Sequence, residues 1–259
     1  MPDYLDVLAR DAKETVATGY YQVPTQRISV PVSLRKAIIE SRKNAVITEV
    51  KAASPSRGAI KTGFNPKEVA RAMENGGATG ISVLTEPKHF SGSLSYLLKV
   101  REVVKLPILM KDIIINPIQL EAASKIGANA VLLIEALFER GYCEICLDEM
   151  ITQAHARNLE VLLESHNEEE YKQVIETDSD LVGINNRDLR TLEVDLQITE
   201  NILMNHESTG KVVVSESGVM TPEDLLFLRG CGAQAFLIGS SVMMANNIEQ
   251  KVKEFVTAH

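Results

Sequence analysis

The stretch EVLLESHNEEEYKQVIETDSDLVGINN (160–186) carries the pattern on which the fold depends. It begins and ends with a short apolar run, EVLLES (160–165) and LVGINN (181–186), and the residues between the two runs have helical periodicity. Runs that are nearly continuous in Val, Ile and Leu are typical of parallel strands covered on both faces. The stretch therefore predicts a strand, a helix and a second strand parallel to the first.

The same kind of run recurs along the rest of the chain, each time followed by a segment with helical periodicity. The six further runs are AVITEV (45–50), GISVLT (80–85), PILMKD (107–112), AVLLI (130–134), KVVVSES (211–217) and AFLIGS (235–240). A capping residue before a proline predicts three helix starts, at Asn65-Pro66, Asn116-Pro117 and Thr221-Pro222. Glycines predict three helix ends, at Gly76-Gly77, at Gly127 and between Gly230 and Gly232.

The chain thus contains eight strand–helix units from residue 45 onward. Eight alternating units favour a closed (β/α)₈ TIM barrel over an open doubly wound sheet, since the dinucleotide motif GxGxxG is absent. The preceding residues are helical at LDVLARDAKETV (5–16) and VSLRKAIIESRK (32–43), but they are too polar to fold alone. We predict one α/β barrel domain over residues 1–259, in which residues 1–44 form an N-terminal helical extension that packs on the barrel as a lid or plug.

Composition excludes several classes of partner. The 259 residues carry a formal net charge of −8, whereas general binding to nucleic acid requires a basic face. The N-terminus lacks the basic start and apolar run of a signal peptide, and no apolar stretch approaches the roughly 20 residues of a membrane span. We therefore expect a cytoplasmic protein without nucleic-acid or membrane partners, present as a monomer or weak homodimer.

Cysteine and histidine give little sign of a metal or redox site. Three cysteines are too few for a disulfide framework, and the CxxC of Cys143 and Cys146 falls within an amphipathic helical pattern. The histidines lack the spacing of metal ligands, which favours solvated or capping roles. They are His89, His155, His166, His206 and His259. We predict no metal and no cofactor.

Polar side chains follow five of the predicted strands, at the end where barrels place their chemistry. In chain order they are Glu49 and Lys51, Lys111 and Asp112, Glu164, Asn185 with Asn186 and Arg187, and Ser215 with Glu216 and Ser217. Glu49 and Lys51 are two positions apart on a strand, so both project to the same face at the barrel mouth. A rim of salt bridges explains one such pair, but three glutamates and two lysines together are costly to bury and indicate a functional site.

The loops after the seventh and eighth strands, ESG and IGSS, predict a phosphate site. The backbone N–H groups of Gly218, Gly239 and Ser240 can point at an anion where barrels often bind phosphate. Glycines at these positions also suit tight turns, so a purely structural role stays open. In the loop AASPSRG (52–58), Ser54 is the candidate hydroxyl for the same phosphate, and its alternative role is to satisfy a backbone turn.

Strings at the strand ends resemble the indole-3-glycerol-phosphate synthases of tryptophan biosynthesis, and they follow the family's order. They are EVKAASPSRG (49–58), ISVLTEPKHFSGSL (81–94), ILMKD (108–112), LLESHNEEE (162–170), GINNRDLRTLEVD (183–195), VSESGV (214–219) and LIGSSVM (237–243). The resemblance extends from about Leu34 to Val242. It implies a (β/α)₈ barrel with an N-terminal helical extension. It also implies cofactor-free conversion of 1-(2-carboxyphenylamino)-1-deoxyribulose 5-phosphate to indole-3-glycerol phosphate, carbon dioxide and water.

The resemblance further implies roles for individual residues. Lys111 corresponds to the general acid that protonates the ketone of the substrate, and Glu164 to a base that assists the later steps. The polar pocket is completed by Glu49, Lys51, Asn185, Glu216 and Ser217. Phosphate contacts correspond to Ser54, Gly218, Gly239 and Ser240, and Arg187 corresponds to a residue near the anionic end of the substrate. We expect Lys51 and Lys111 to lower each other's pKa, with the glutamates opposing that shift.

One position departs from the family. Ile113 stands where the family commonly has an aromatic residue, which removes a flat wall from the anthranilate pocket. Two other functions stay open at this point. One is another phosphate-binding barrel, such as a phosphoribosylanthranilate or ribose-phosphate isomerase, which uses other acid–base residues. The other is a catalytically silent barrel that binds a sugar phosphate; it should have lost at least one of Glu49, Lys51, Lys111 and Glu164, and all four are present.

Overall fold

A closed ring of eight parallel strands forms the centre of the protein. The computed structural model describes residues 3–24, 31–54, 58–60, 63–206 and 210–259. The barrel strands are β1 (Ala45–Val50), β2 (Gly80–Leu84), β3 (Ile108–Lys111), β4 (Ala130–Ile134), β5 (Glu160–Ser165), β6 (Leu181–Asn185), β7 (Val212–Glu216) and β8 (Ala235–Ile238). Each strand pairs with the next in the chain, and β8 pairs with β1 to close the ring. The predicted (β/α)₈ barrel is confirmed.

All eight apolar runs of the sequence form barrel strands, and their ends differ from the predicted ones by at most two residues. The strands are buried along their length, apart from partial exposure of Glu160 at the start of β5 and of Lys111 at the end of β3. Burial on both faces is the physical reason for nearly continuous apolar runs, because neither face of the strand meets water.

Helices follow the strands around the ring. They are α1 (Tyr4–Ala17), α2 (Leu34–Ile39), α3 (Pro66–Asn75), α4 (Leu94–Arg101), α5 (Pro117–Lys125), α6 (Glu135–Glu139), α7 (Leu147–His155), α8 (Glu168–Val174), α9 (Gln197–Asn205), α10 (Pro222–Gly230), α11 (Ser240–Met243) and α12 (Ile248–Val256). The three predicted starts are confirmed, since Asn65, Asn116 and Thr221 each accept a hydrogen bond from the first turn of their helix. The predicted glycine stops are confirmed by positive φ angles at Gly77, Gly127 and Gly232.

Two apolar cores lie on the two faces of the sheet. Alternate strand residues such as Val46 and Val131 pack outward against the helices, whereas Ile47 and Leu132 belong to the core inside the ring. The inner core also contains residues of α1 and α2, which are Leu5, Leu8, Ala9, Ala12, Leu34 and Ile38. The predicted N-terminal extension is therefore joined to the inside of the barrel. Among the described residues, no helix combines the length and the apolar character that crossing a membrane requires.

Helix α1 lies at the mouth of the barrel, where the strands end. Its residues Tyr4 and Leu8 line the same cavity as Lys111 at the end of β3. Arg140, which follows α6, holds the start of the helix through a 2.7 Å contact between its NH1 atom and Asp3 Oδ2. This part of the extension therefore forms one wall of the cavity at the mouth.

Helix α2 lies at the opposite end, beneath the starts of the strands. Glu160, the first residue of β5, accepts hydrogen bonds from the backbone nitrogens of Leu34 at 2.7 Å and Arg35 at 3.1 Å. A Cβ on Gly80, the first residue of β2, would come within 2.6 Å of Leu34 Cδ1. The extension thus contributes a lid at one end of the barrel and a plug at the other.

The predicted helical setting of the CxxC is wrong. Cys143 and Cys146 lie in the loop between α6 and α7, and Cys146 is the N-cap residue of α7. Gly141, with a φ of 69°, follows the end of α6 and interrupts the apparent amphipathic pattern. Both thiols are free, and burial raises the pKa of the Cys143 thiol to about 12, which disfavours a reactive thiolate.

We predict that Leu34→Ala destabilises the barrel by about 2–5 kcal/mol, because it opens a cavity under the strands. Leu34 is fully buried, whereas Ile39 on the same helix is 56% exposed. Ile39→Ala therefore serves as the matched control and should change the free energy of unfolding little. Urea denaturation followed by circular dichroism measures both variants. Equal effects of the two substitutions would contradict the assignment of α2 as a plug.

Candidate active site

One cavity at the carboxyl ends of the strands collects most of the predicted site residues. It is lined by Glu49, Lys51, Lys111, Glu164, Asn185, Arg187, Glu216, Ser217, Gly218, Gly239 and Ser240. The side chain of Ser54 lies outside the described part of the chain, although its backbone pairs with Gly58 in a short hairpin. Six different strands or the loops after them therefore bring their polar residues to one place, as barrel geometry requires.

Lys111 stands between two carboxylates at the centre of this cavity. Its Nζ lies 2.8 Å from Glu216 Oε2 and 3.2 Å from Glu164 Oε2. The three residues come from β3, β5 and β7, and alternate strands of a barrel contribute side chains to the same layer. Both glutamates are almost completely buried. An unpaired buried carboxylate is very costly, so the ammonium of Lys111 is what allows both to lie inside the barrel.

Electrostatics separate the pKa values of these three groups. Burial alone would lower the pKa of Lys111, but the negative charges of Glu164, Glu216 and Glu49 outweigh burial and raise it above its usual value. For Glu164, burial is outweighed by Lys111, His166 and Asn185, and the pKa of the carboxyl falls. For Glu216, burial prevails over the charge of Lys111, and the neighbouring Glu164 adds to it, so the pKa rises to about 7. The pKa values of the two carboxyls are therefore shifted in opposite directions, and that of Glu216 is the higher.

Lys51 has its own carboxylate partner. Its Nζ lies 2.6 Å from Glu49 Oε1, two positions earlier along β1. The pKa of Lys111 is raised and not lowered, so the glutamates, which were expected only to oppose the effect of Lys51, dominate its surroundings, while Lys51 is paired with Glu49. Gly239, next to β1 at the end of β8, makes room for this pair. A Cβ at Gly239 would press against Glu49 and lie 2.9 Å from Lys51 Nζ.

A second glycine makes room for Glu216. Gly183 lies in the middle of β6, which pairs with β7, and a Cβ added to it would stand 2.5 Å from Glu216 Oε1 and 3.3 Å from Glu164 Cα. Glu216 Oε1 is buried and has no hydrogen-bond partner among the described residues. The missing Cβ of Gly183 therefore sets the position from which Glu216 reaches Lys111. Gly183 was not among the predicted site residues.

The loops after β7 and β8 form one side of the cavity. Ser217 and Gly218 both have positive φ, 65° and 92°, and a serine in that conformation is uncommon. Side chains of Val194 and Leu196, from the segment between β6 and α9, lie against the face of Gly218 where a Cβ would stand. Glycine at this position therefore serves both the turn and the close approach of the neighbouring segment. Strain in Ser217 is typical of a functional position.

The opposite side of the ring supplies an apolar wall. Since β3 and β4 lie across the eight-stranded ring from β7 and β8, their side chains face the Ser217–Gly218 loop across the cavity. The wall is formed by Tyr4, Leu8, Phe90, Ile113, Leu132 and Ile134. Ile113 is buried in it, and Phe90 and Tyr4 contribute aromatic rings from other elements. The cavity is therefore polar at its centre and mainly apolar on the β3–β4 side, where Asp112 is a polar lining residue.

Asn185 and Arg187 lie where β6 leaves the barrel. Asn185 Oδ1 accepts a hydrogen bond from the backbone nitrogen of Arg187 at 3.0 Å, which fixes the exit of the chain. The guanidinium of Arg187 donates to the Leu192 carbonyl at 2.7 Å while the residue also lines the cavity. Arg187 is thus a cation held at the rim by its own loop.

His166, which follows Glu164 by two positions just after β5, was not among the predicted site residues. Its Nε2 lies 3.0 Å from Glu164 Oε1, and its Nδ1 lies 3.1 Å from Glu170 Oε2. A solvated or capping role was expected, but the side chain is only 10% exposed. Its position two residues after a predicted strand-end glutamate was the signal available in the sequence. In the part of the chain that the structure describes, no cluster of three or more His, Cys, Asp or Glu residues is arranged to hold a metal ion.

The fold recurs in solved structures of low sequence identity. Thiamine phosphate pyrophosphorylase from Pyrococcus furiosus superposes with a TM-score of 0.60 at 16% identity, over 86% of this chain and 96% of that chain. At this level of identity the likeness establishes the barrel and nothing about its chemistry.

Sequence comparison identifies the family. The family model described as indole-3-glycerol phosphate synthase matches residues 6–255. The indole-3-glycerol phosphate synthase of Acetivibrio thermocellus is 39% identical over 96% of this chain and 94% of its own length. The enzyme of the same name from Caldanaerobacter subterraneus is 41% identical over 85% of this chain and 83% of its own length. With the barrel and its charged cavity in place, these matches show that the chain belongs to the indole-3-glycerol phosphate synthase family.

Proposed function

We propose that the protein converts 1-(2-carboxyphenylamino)-1-deoxyribulose 5-phosphate to indole-3-glycerol phosphate, carbon dioxide and water. The observation that carries the proposal is the position of Lys111, an ammonium held between Glu164 and Glu216 at the centre of a cavity with an apolar wall on one side. A proton donor in this position can meet the reacting ketone of a substrate that spans the cavity.

The two sides of the cavity suggest how the substrate lies. The carboxyphenyl ring fits the apolar wall that includes Ile113 and Phe90. The phosphate fits the loops of Gly218, Gly239 and Ser240, whose backbone N–H groups suit an anion without adding buried charge. In this orientation the ketone carbon, which lies between ring and phosphate, comes to the polar centre.

Lys111 serves the first step. The ring carbon that bears the carboxylate attacks the ketone carbon, and the new carbon–carbon bond leaves negative charge on the ketone oxygen. Lys111 stabilises this charge and transfers a proton to the oxygen. The carboxylate then leaves as carbon dioxide, and the electron pair of the broken bond restores the aromatic ring.

The second step removes water from the ring just formed. We assign the acid to Lys51, which gives a proton to the departing hydroxyl, and the base to Glu164, which takes a proton from the carbon beside the nitrogen. The lowered pKa of Glu164 keeps this carboxylate ionised and therefore able to accept a proton, whereas Glu216 has the higher pKa of the two. Glu49 holds Lys51 in place. Asn185 and Ser217 complete the polar lining, and Arg187 at the rim suits an anionic part of the substrate.

A direct assay tests the proposed function. Purified protein, without added metal or nucleotide, should produce indole absorbance and fluorescence from the carboxyphenylamino substrate, together with one equivalent of carbon dioxide. Phosphoribosylanthranilate supplied to the same protein should remain unchanged. Isomerisation of that compound would favour an isomerase, and binding of the substrate without product would favour a silent barrel.

We predict that Lys111→Met lowers kcat by about 10²–10⁴-fold, the usual contribution of general acid–base catalysis. Lys99→Met, at an exposed position of α4, is the matched control and should leave kcat unchanged. Steady-state kinetics over a range of pH measure both variants, with circular dichroism as the check on folding. A Lys111→Met enzyme that kept the wild-type rate and both limbs of the pH–rate profile would contradict the role of Lys111.

We predict that Gly183→Ala lowers kcat by about 10²-fold in a folded protein, because the added methyl displaces the Glu216 carboxylate that contacts Lys111. Gly230→Ala, at the end of α10 where a Cβ meets no atom within 4 Å, is the control for glycine substitution itself. Thermal unfolding separates loss of activity from loss of structure. Wild-type kcat in Gly183→Ala would show that the position of Glu216 does not matter for turnover.

A further inference from the structure

His166 is a buried imidazole placed directly behind the base of the proposed reaction. It lies in the loop between β5 and α8, and its two ring nitrogens lie near two carboxylates. Nδ1 shares a hydrogen bond with Glu170 Oε2 at 3.1 Å, whereas Nε2 lies 3.0 Å from Glu164 Oε1 as an ion-pair contact without hydrogen-bond geometry. The ring is only 10% exposed. His166 does not line the cavity, whereas Glu164, which it contacts, does.

The second carboxylate fixes the ring. Glu170, in the first turn of α8, also accepts hydrogen bonds from the backbone nitrogen of His166 at 2.8 Å and from Asn167 Nδ2 at 2.7 Å. Asn167 in turn caps α8 by accepting from the Glu170 backbone nitrogen. The position of the imidazole is thereby set by the start of a helix and does not depend on a substrate.

The carboxylates around His166 favour the protonated form of its imidazole ring. Besides Glu164 and Glu170, Glu135 at the start of α6 acts on His166, and it is buried with one oxygen unpartnered. Burial alone would lower the pKa of His166, but the adjoining carboxylates of Glu164 and Glu170 raise it to about 10. Glu164 itself faces Lys111, Glu216 and Asn185 on its other side. His166 is the second cation near this carboxylate.

We propose that His166 is a positioning residue, an imidazolium held between Glu164 and Glu170 whose charge keeps Glu164 an ionised carboxylate throughout turnover. The inference rests on the proposed function, in which Lys111 gives its proton to the substrate. At that moment Glu164 loses the positive charge of Lys111, yet it must stay ionised to act as a base later. The imidazolium, which takes no part in the proton transfer, supplies the charge that remains.

The charge of the ring can be measured directly in the resting protein. Nuclear magnetic resonance of ring-labelled histidine, with His166→Gln used to assign the signal, should show His166 protonated through pH 8. Glu170→Gln keeps the oxygen acceptor and removes the charge, so His166 should lose its proton at a lower pH in that variant. A ring that titrates near the ordinary histidine value of about 6.5 in the wild-type protein would overturn the proposal.

Kinetics test whether the charge acts through Glu164. In His166→Gln the acidic limb of kcat should move upward by about one to three pH units, because an opposite charge beside the carboxylate is lost. KM should change less than about twofold, since the residue lies outside the cavity wall. Glu170→Gln should shift the same limb in the same direction by a smaller amount, and it keeps the test available if His166→Gln does not fold.

His206 provides the matched control. It follows α9 and pairs with Glu168 of α8, the helix that also carries Glu170, with Nε2 2.7 Å from Glu168 Oε1. Among the described residues no contact joins it to Glu164. His206→Gln should leave the acidic limb where it is in the wild type. An unmoved limb in both His166→Gln and Glu170→Gln would overturn the proposal. A wild-type protein without turnover would overturn the proposed function instead, and the resonance titration would still decide the charge of the ring.

Discussion

The contact of one ammonium with two buried carboxylates is the constraint on which the cavity depends. Lys111 satisfies Glu164 and Glu216 at once, and neither glutamate is tolerable in the barrel without a cation nearby. The three side chains come from strands that are not neighbours, so their meeting requires a closed ring with the observed register. Closure of the ring thus determines which charged side chains meet at the mouth. The fold tolerates these buried charges because each lies beside a group of opposite charge.

Space for these charges is created by residues without side chains. Gly183 leaves the volume that Glu216 occupies, and Gly239 leaves the volume for the pair of Glu49 and Lys51. In most barrel interiors such positions are filled by branched apolar side chains. Here the upper layer of the interior is given to polar groups, while the inner apolar core lies below them and is sealed at the base by Leu34 of α2. The apolar residues that stabilise the barrel and the polar residues of the site therefore lie at different depths of the same barrel.

The fold could be predicted from sequence because buried parallel strands need nearly continuous apolar runs, and eight such runs are visible with helix caps between them. The positions of Glu49, Lys51, Lys111, Glu164 and Glu216 could be predicted for a related reason, since a barrel places the residue at the end of each strand at its mouth. The interaction partners of these residues could not be predicted from the sequence. Pairing of Lys51 with Glu49 depends on side-chain rotamers, and the resulting pKa of Lys111 depends on which charges are nearest. The helical setting of the CxxC failed because Gly141 ends α6 where periodicity alone suggested continuation.

His166 escaped prediction for a physical reason that bears on how the cavity is built. A histidine just after a strand usually turns to solvent, and its burial here follows from Glu170, which lies on the next helix and binds both the ring and the backbone of His166. The loop thereby presents a cation to the outer side of Glu164 while Lys111 occupies the inner side. The two cations beside Glu164, Lys111 and His166, have different roles in the proposal. One faces the cavity and can give up its proton, whereas the other is shielded from it by the carboxylate itself. In the proposed reaction, a base flanked in this way keeps a counter-charge whatever the protonation state of Lys111, which reconciles a proton donor and a base in direct contact.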